Sequence, residues 1–190
     1  MKYIFIFMLM SSSVFAHPLS MVETSVAQPP HEYIPDPTMT PMPTDRAAAI
    51  AFVGDVNFTG RIGEYMNVSH TTWPFQEVKD ILSKADYRVC NLENPAGFGG
   101  AKYCDKSVYF KANPKNLDAL TYAGFDMVTL ANNHALDYGP EVLSQTVREL
   151  EKRNIKYMGI SWNNRTPYQP TYATINGLRV AFLGFCNACP

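Results

Sequence analysis

A chain of 190 residues has the length of one domain, and its charge is nearly balanced, with 16 Lys and Arg against 17 Asp and Glu. No basic run stands out, so we expect no nucleic-acid partner. The hydrophobic content of 46% is ordinary for a globular protein.

The first segment has the pattern of a signal peptide. Lys2 gives a positive start, an apolar run covers residues 3–10, and Ala16 ends a small-x-small cleavage site. The run is shorter than the about 20 residues that span a bilayer, and no later stretch is long and apolar enough to do so. We therefore predict cleavage of residues 1–16 and a secreted or cell-surface protein without a transmembrane span, rather than an uncleaved anchor.

Residues 17–45 hold seven prolines and show neither a helical nor a strand period, so they are predicted to be a poorly ordered linker before a folded domain over residues 46–190. Secretion favours disulfides among the four cysteines, with the three possible pairings and plain structural thiols left open. Three Asn-x-Ser/Thr motifs would be glycosylated in a eukaryotic host. These cysteines and asparagines are Cys90, Cys104, Cys186 and Cys189, and Asn57, Asn67 and Asn164.

Strands and helices are predicted to alternate through the domain. The apolar run 48–53, ended by Gly54, fits a strand buried on both faces. Pro74 opens a helical pattern, and residues 87–91 form a second strand with a Gly-rich loop after it. The apolar face of this helix holds Phe75, Val78, Leu82 and Ala85, and the loop holds Gly97, Gly99 and Gly100.

The second half of the domain continues the alternation. Asn113 can cap a helix that begins at Pro114, and residues 125–131 form a third strand. Pro140 opens the clearest amphipathic helix, and residues 155–160 form a fourth strand. The stripe of this last helix holds Leu143, Val147 and Leu150.

The last two strands are predicted to form a hairpin. Asn176-Gly177 lies between the apolar runs 171–175 and 178–185, and Asn-Gly in that position is the strongest short hairpin signal. Together with the preceding alternation, this predicts an α/β fold with a mostly parallel sheet covered by helices and a β-hairpin at the end.

Clusters of polar residues follow three of the predicted strands. Ligands of open α/β sheets bind at the carboxyl ends of the strands, and parallel strands bring these clusters to one edge. Carboxylates, amide oxygens and an imidazole are suitable ligands for a divalent metal. The clusters are Asp55; Asn91 and Glu93; and Asn132, Asn133 and His134 with Asp137.

Each cluster also has a purely structural interpretation. Asp55 could cap a helix or form a turn, and Glu93 could lie in a solvated turn. Asn132 and Asn133 could form a left-handed turn with His134 packed locally. The third cluster favours function, because four polar residues between a strand and a helix are more than a turn needs.

Five segments follow a known pattern in order and spacing: GDV, NLENP, GFDMVTLANNHALDYG, YMGI and GLRVAFLGF. Over residues 47–185 the chain resembles the CapA family of poly-gamma-glutamate capsule synthesis proteins, which is similar in fold to the calcineurin-like metallophosphoesterases. The resemblance implies a metallophosphatase-like domain that makes or anchors poly-gamma-glutamate at the cell surface. It implies an anionic polymer or a phosphorylated compound as substrate.

The resemblance also implies a metal-dependent site with Mn, Zn or Mg. The implied metal ligands are Asp55, Glu93 and Asn133, and the implied substrate-binding residues are Asn91 and Asn132. A metal held by Asp55 and Asn133 could polarise a phosphoryl oxygen and lower the pKa of a bound water.

Two catalytic residues complete this picture. The resemblance implies that His134 assists the phosphoryl oxygen or the leaving group. From spacing alone, we expect the carboxylate of Asp137 to hold His134, which could then donate a proton to the leaving oxygen.

The sequence departs from the family pattern at two places. Asn57 stands where the phosphoesterase pattern has a His, and the later His-bearing segments that should follow the final strand are missing before the chain ends at Pro190. We therefore expect an incomplete domain with a half-built site. Two hypotheses stay open: a metal-dependent hydrolase, or an inactive binding module or relic that holds no metal. The density of polar residues after Leu130 argues against a third interpretation, a disulfide-bonded domain without a pocket function.

Overall fold

The computed structural model describes residues 3–9 (as a backbone strand), 47–103, 105–161 and 169–187. The predicted linker and cleavage site lie outside these residues, as do Cys104, Cys189 and Asn164. The described strands are Tyr3–Leu9 (β1), Ile50–Val56 (β2), Tyr87–Leu92 (β3), Met127–Thr129 (β4), Lys156–Met158 (β5), Thr171–Ile175 (β6) and Leu178–Phe185 (β7). The described α-helices are Gly60–Val68 (α1), Lys79–Leu82 (α2), Asp118–Ala123 (α3) and Gly139–Lys152 (α4).

The strands form two sheets, and the predicted α/β fold is confirmed. β2, β3, β4 and β5 are neighbours in that order, and all their pairings are parallel. The second sheet has the order β1-β7-β6, with β6 and β7 forming the predicted antiparallel hairpin. Asn176 and Gly177 both have positive φ, 49° and 77°, which is the requirement of the tight turn for which Asn-Gly is selected.

The parallel sheet is buried on both faces at its centre. Successive side chains of β3 and β4 point to opposite faces, so Cys90 and Val128 join the core beneath the helices. Val89 and Met127 join a second core beneath the hairpin, where they pack near Phe182. This double covering explains why apolar residues are adjacent at the centre of each strand, as Val89-Cys90 in β3 and Met127-Val128 in β4.

The first strand of this sheet differs from its prediction. Ile50–Val56 lies at an edge, because β3 is its only neighbour among the described strands. Phe52 is 42% exposed as a result, so burial on both faces was wrong. An apolar run indicates a strand, but it does not say how many strands flank it.

The segment between β2 and β3 also differs. The helix predicted from Pro74 is a 3₁₀ turn, Trp73–Phe75, followed by the single turn α2, and Val78 is exposed. Helix α1 was not predicted, since glycines interrupt its pattern. Gly63 is needed there because a Cβ would lie 2.3 Å from the carbonyl oxygen of Phe58.

The other helices follow their predictions. Asn113 accepts a hydrogen bond from the Lys115 amide through Oδ1 at 3.0 Å, and a 3₁₀ turn, Pro114–Leu117, leads into α3. Helix α4 has Pro140 in its first turn and buries the predicted apolar stripe. Cap and stripe are local signals, which is why the sequence was sufficient to identify them.

The N-terminal segment forms strand β1, which pairs in parallel with β7 from Arg179 to Phe185. The signal peptide was predicted for these same residues and stays a prediction. Cleavage after Ala16 would remove β1 and leave β7 paired with β6. In the part of the chain that the structure describes, no helix has the length and apolarity to cross a membrane.

The disulfide prediction is not tested, because two of the four cysteines lie outside the described residues. Cys90 is fully buried on β3, and this burial raises the pKa of its thiol. Its side chain therefore packs as an apolar group in the core beneath the helices.

Candidate functional site

Three strand ends meet at one edge of the parallel sheet. In the β2–β3 pairing Asp55 lies beside Asn91, and in the β3–β4 pairing Asn91 lies beside Thr129. A register shift between Phe52 and Asp55 interrupts the ladder of β2. Irregularities of this kind re-aim side chains, and here the shift places Asp55 opposite Asn91.

The amide of Asn91 joins the first two polar clusters. Its Nδ2 donates hydrogen bonds to Asp55 Oδ1 at 2.9 Å and to Glu93 Oε2 at 2.6 Å. Asn91 is 1% exposed, whereas Asp55 is exposed at the open edge of β2. One buried NH₂ group therefore lies between two carboxylates and holds both.

Asn132 joins the third cluster to the other two. Its Nδ2 donates to Asn91 Oδ1 at 2.9 Å and to the Leu92 carbonyl at 2.8 Å, and its Oδ1 accepts from the His134 amide at 2.9 Å. The buried amides of Asn91 and Asn132 thus support other site residues. Their predicted contact with substrate stays a prediction.

The imidazole of His134 lies between two carboxylates. Its Nδ1 is 2.7 Å from Asp137 Oδ2, the contact expected from spacing, and its Nε2 is 3.7 Å from Glu93 Oε1. The ring of Phe110 packs against the imidazole with centroids 4.3 Å apart. The geometry brings these residues together, while their catalytic roles stay predictions.

Asp137 is held by a loop that the sequence analysis did not include in the site. Its fully buried carboxylate accepts hydrogen bonds from Lys106 Nζ at 2.5 Å and from the Phe110 amide at 2.7 Å. Tyr103 also donates its amide to the Asp137 carbonyl at 3.1 Å. Only an indirect indication of these contacts was available from the sequence, because a buried carboxylate requires a cation or several hydrogen-bond donors beside it.

Asn133 is the predicted ligand that the structure connects least to the others. Its backbone carbonyl accepts a hydrogen bond from Lys106 Nζ. Among the described residues no hydrogen bond joins its side chain to Asp55 or Glu93, and its role as a metal ligand stays a prediction.

Comparison with known proteins identifies the family. A model of the family described as bacterial capsule synthesis protein PGA_cap matches residues 49–189, which include all the site residues named above. The chain belongs to this family. The resemblance noted from the sequence motifs is therefore confirmed.

Relatives in three bacteria agree with this assignment. The chain is 31% identical over 142 residues to the capsule biosynthesis protein CapA of Bacillus anthracis, covering 73% of this chain and 34% of that protein. It is 28% identical over 146 residues to the PGA biosynthesis protein CapA of Bacillus subtilis (strain 168), covering 76% and 38%. A probable polyglutamine synthesis accessory protein of Mycobacterium tuberculosis is 35% identical over 89 residues, covering 46% and 23%. The chain thus spans little more than a third of the Bacillus relatives it matches.

Negative charge dominates the site of this family member. Burial raises the pKa of Glu93, the hydrogen bond from Asn91 lowers it, and the nearby charge of Asp55 raises it again. The charge of His134 lowers this pKa, and that of Asp137 raises it. A partly buried carboxylate with a raised pKa beside other carboxylates is typical of functional sites.

The donor atoms suit a hard divalent ion better than zinc. Asp55 and Glu93 present carboxylate oxygens around the single nitrogen of Asn91, and Mg²⁺ and Mn²⁺ favour oxygen ligands. In the described ranges, no three His, Cys, Asp or Glu side chains form a group that could hold a metal. The metal site therefore stays a prediction, and the structure shows only that the Asn91 amide nitrogen holds these two carboxylates.

Proposed function

We propose that this chain carries part of a metal-dependent, phosphoesterase-like centre that acts in poly-gamma-glutamate capsule synthesis or anchoring. Family membership and the names of the Bacillus relatives support the biological role. The observation that carries the chemistry is the position of His134, which is held by buried Asp137 and faces Glu93 at the strand ends.

The proposed division of labour follows from the contacts. Asp55, Glu93 and Asn133 would hold the ion, and the amide of Asn91 would orient the two carboxylates. When bound, a divalent metal polarises a phosphoryl oxygen and lowers the pKa of a coordinated water. Asp137 keeps the Nδ1 side of His134 occupied, so Nε2 is the nitrogen that can donate a proton to the leaving oxygen.

The proposed substrate is a phosphorylated compound or a segment of the anionic polymer, handled outside the cytoplasm. The location rests on the signal-peptide pattern of residues 1–16. Intact mass measurement of the protein recovered from the culture medium of its bacterial host tests it. A mass that starts at His17 supports secretion, and a full-length protein retained in the cells contradicts it.

A binding module without turnover is the second candidate. It is favoured by the Asn91 amide, which lies between the two carboxylates and donates a hydrogen bond to an oxygen of each. On this hypothesis the strand-end cluster shapes a surface and performs no chemistry.

Calorimetric titration of the purified 190-residue chain with Mn²⁺, Mg²⁺ and Zn²⁺ distinguishes the metal-dependent enzyme from the binding module. The Asp55→Ala/Asn133→Ala double variant removes two predicted ligands. Asp80→Ala is the matched control, because Asp80 is an exposed carboxylate on α2, away from the strand ends. We expect micromolar binding of Mn²⁺ or Mg²⁺ that only the double variant loses, followed by hydrolysis of bis(4-nitrophenyl) phosphate.

A cooperatively folding chain that binds none of the three ions would eliminate the enzyme hypothesis and leave the binding module. Binding that survives in the double variant would place the ion elsewhere and overturn the ligand assignment.

A further inference from the structure

Lys106 makes two buried contacts on one turn of the site. Its ammonium group donates to the carbonyl of Asn133 and to Oδ1 of Asp137. The Lys106 side chain is 21% exposed and that of Asp137 is not exposed at all, so the pair is largely removed from water. Such a pair depends on good geometry and on further hydrogen bonds to offset its desolvation.

The two contact points lie on either side of His134. The turn between them is closed internally by the Asp137 amide, which donates to the His134 carbonyl at 3.0 Å. Its start is held by Asn132, which accepts from the His134 amide. Lys106 spans this turn from outside and connects its two halves through one charged group.

The segment of residues 105–111 carries a second contact to the same histidine. The Phe110 amide donates to Oδ2 of Asp137, the oxygen that also contacts His134 Nδ1. Oδ1 is occupied by Lys106, so both oxygens of the carboxylate have assigned partners and the group cannot turn without losing several hydrogen bonds. The aromatic ring of Phe110 then packs on the imidazole.

We propose that Lys106 is a positioning residue that ties the Asn133 carbonyl to the Asp137 carboxylate and so holds His134 toward Glu93. The catalytic importance of this role rests on the proposed function, whereas the positioning itself is a property of the folded chain. The competing interpretation is that Lys106 only neutralises a buried charge and contributes to global stability.

Native-state hydrogen exchange distinguishes these interpretations, because local opening and global unfolding affect different amides. We would compare the full chain with Lys106→Met, Lys106→Arg and the control Lys102→Met. Lys102 lies four positions before Lys106 in the sequence, but its ammonium group lies over the Tyr109 ring at 4.5 Å rather than on the turn. The amides to follow are those of His134, Asp137 and Phe110, with Val128 of buried β4 as the global reference.

The ammonium group of Lys106 donates charged hydrogen bonds on both sides of His134, so we expect exchange at the His134, Asp137 and Phe110 amides to accelerate about tenfold or more in Lys106→Met. Exchange at Val128 should accelerate distinctly less. Lys106→Arg, which keeps a cationic donor, should restore most of the protection, and Lys102→Met should match the unmodified chain.

Uniform acceleration at all four amides would show a global role and overturn the proposal, as would unchanged exchange at the turn. If Lys106→Met does not unfold cooperatively, Lys106→Met/Asp137→Asn removes both charges and enters the same measurement with the same two outcomes. The experiment uses neither metal nor substrate, so its failure and the failure of the proposed function are distinguishable.

Discussion

Two groups of carboxylates in this domain differ in their cation contacts and in the direction in which the pKa of a glutamate is shifted. At the end of α4, Arg153 binds Asp118 and Glu149 at 2.7 and 2.6 Å, and Lys152 adds a second contact to Glu149. Hydrogen bonds from Lys152 and Arg153 lower the pKa of Glu149. At the strand ends, burial and neighbouring carboxylates raise the pKa of Glu93.

The two groups differ in how far neighbouring cations neutralise their negative charge. At α4, two cations contact the two carboxylates of the group. The strand-end group contains Asp55, Glu93 and Asp137, and its partners are Lys106 and the imidazole of His134. Such a group favours a proton or a cation, as expected where a metal ion or a general acid operates.

The largest effect should follow from removing the most buried carboxylate. Asp137→Ala leaves Lys106 without its charged partner and frees the Phe110 amide, and breaking a buried pair costs about 3–5 kcal/mol. Urea unfolding of the variant measures the loss. Asp118→Ala at the other group is the comparison, because its side chain is 47% exposed and an exposed pair contributes about 0–1 kcal/mol. Equal losses in the two variants would remove the distinction between the groups.

A smaller effect is expected from Arg153→Met. Arg153 joins two carboxylates and is 16% exposed, so we expect a loss of about 1 kcal/mol in the free energy of unfolding. Arg153→Lys should lose nearly as much, since an ammonium group cannot reproduce the paired contacts of the guanidinium. A neutral outcome for Arg153→Met would mean that the α4 group contributes nothing measurable.

The pH dependence of stability should differ in sign between the groups, by smaller amounts. The folded-state pKa of Glu93 lies above its ordinary value of 4.5, so between the two pKa values the native state binds more protons than the unfolded state. Stability therefore falls as pH rises through this window. Glu93→Gln should remove the fall and be relatively more stable near neutral pH. Denaturant midpoints across the window test this, and parallel curves for the two proteins would contradict it.

Glu149 should show the reverse behaviour, with the smallest effect of the four. Its folded-state pKa lies below the ordinary value of 4.5, so its contribution is present above that value and is lost as pH falls through the folded-state pKa. Glu149→Gln should therefore flatten the acid side of the stability curve. Thermal unfolding in buffers of decreasing pH measures this, and an acid limb as steep as that of the unmodified chain would refute it.

Much of the fold could be predicted because its signals are local. The Asn113 cap, the α4 stripe and the Asn-Gly hairpin each depend on a few neighbouring residues. The contact between His134 and Asp137 belongs to the same class, since three positions along the chain are enough to define it. Helix α1 was missed where glycines interrupt such a signal.

The sequence predicted which polar residues lie at the strand ends, but it did not predict the hydrogen bonds between them. Parallel strands imply that their carboxyl ends meet, and for that reason the sequence alone located the three polar clusters. That Asn91 lies between Asp55 and Glu93 depends on the register shift in β2, which no local pattern reveals. Asn133 was grouped with these carboxylates by resemblance, and the structure shows no hydrogen bond between its side chain and theirs.

The sequence by itself determined the alternating elements, the hairpin, the family and the residue types at the strand ends. Only the tertiary structure decided that β2 lies at an edge and that Lys106 reaches Asp137, 31 positions along the chain. Periodicity and turn chemistry act over a few residues, so neighbouring positions of the sequence are enough to reveal them. Which strands are neighbours and which charges pair depends instead on the packing of the whole domain. A buried charge needs a partner, and that partner can come from a distant part of the chain.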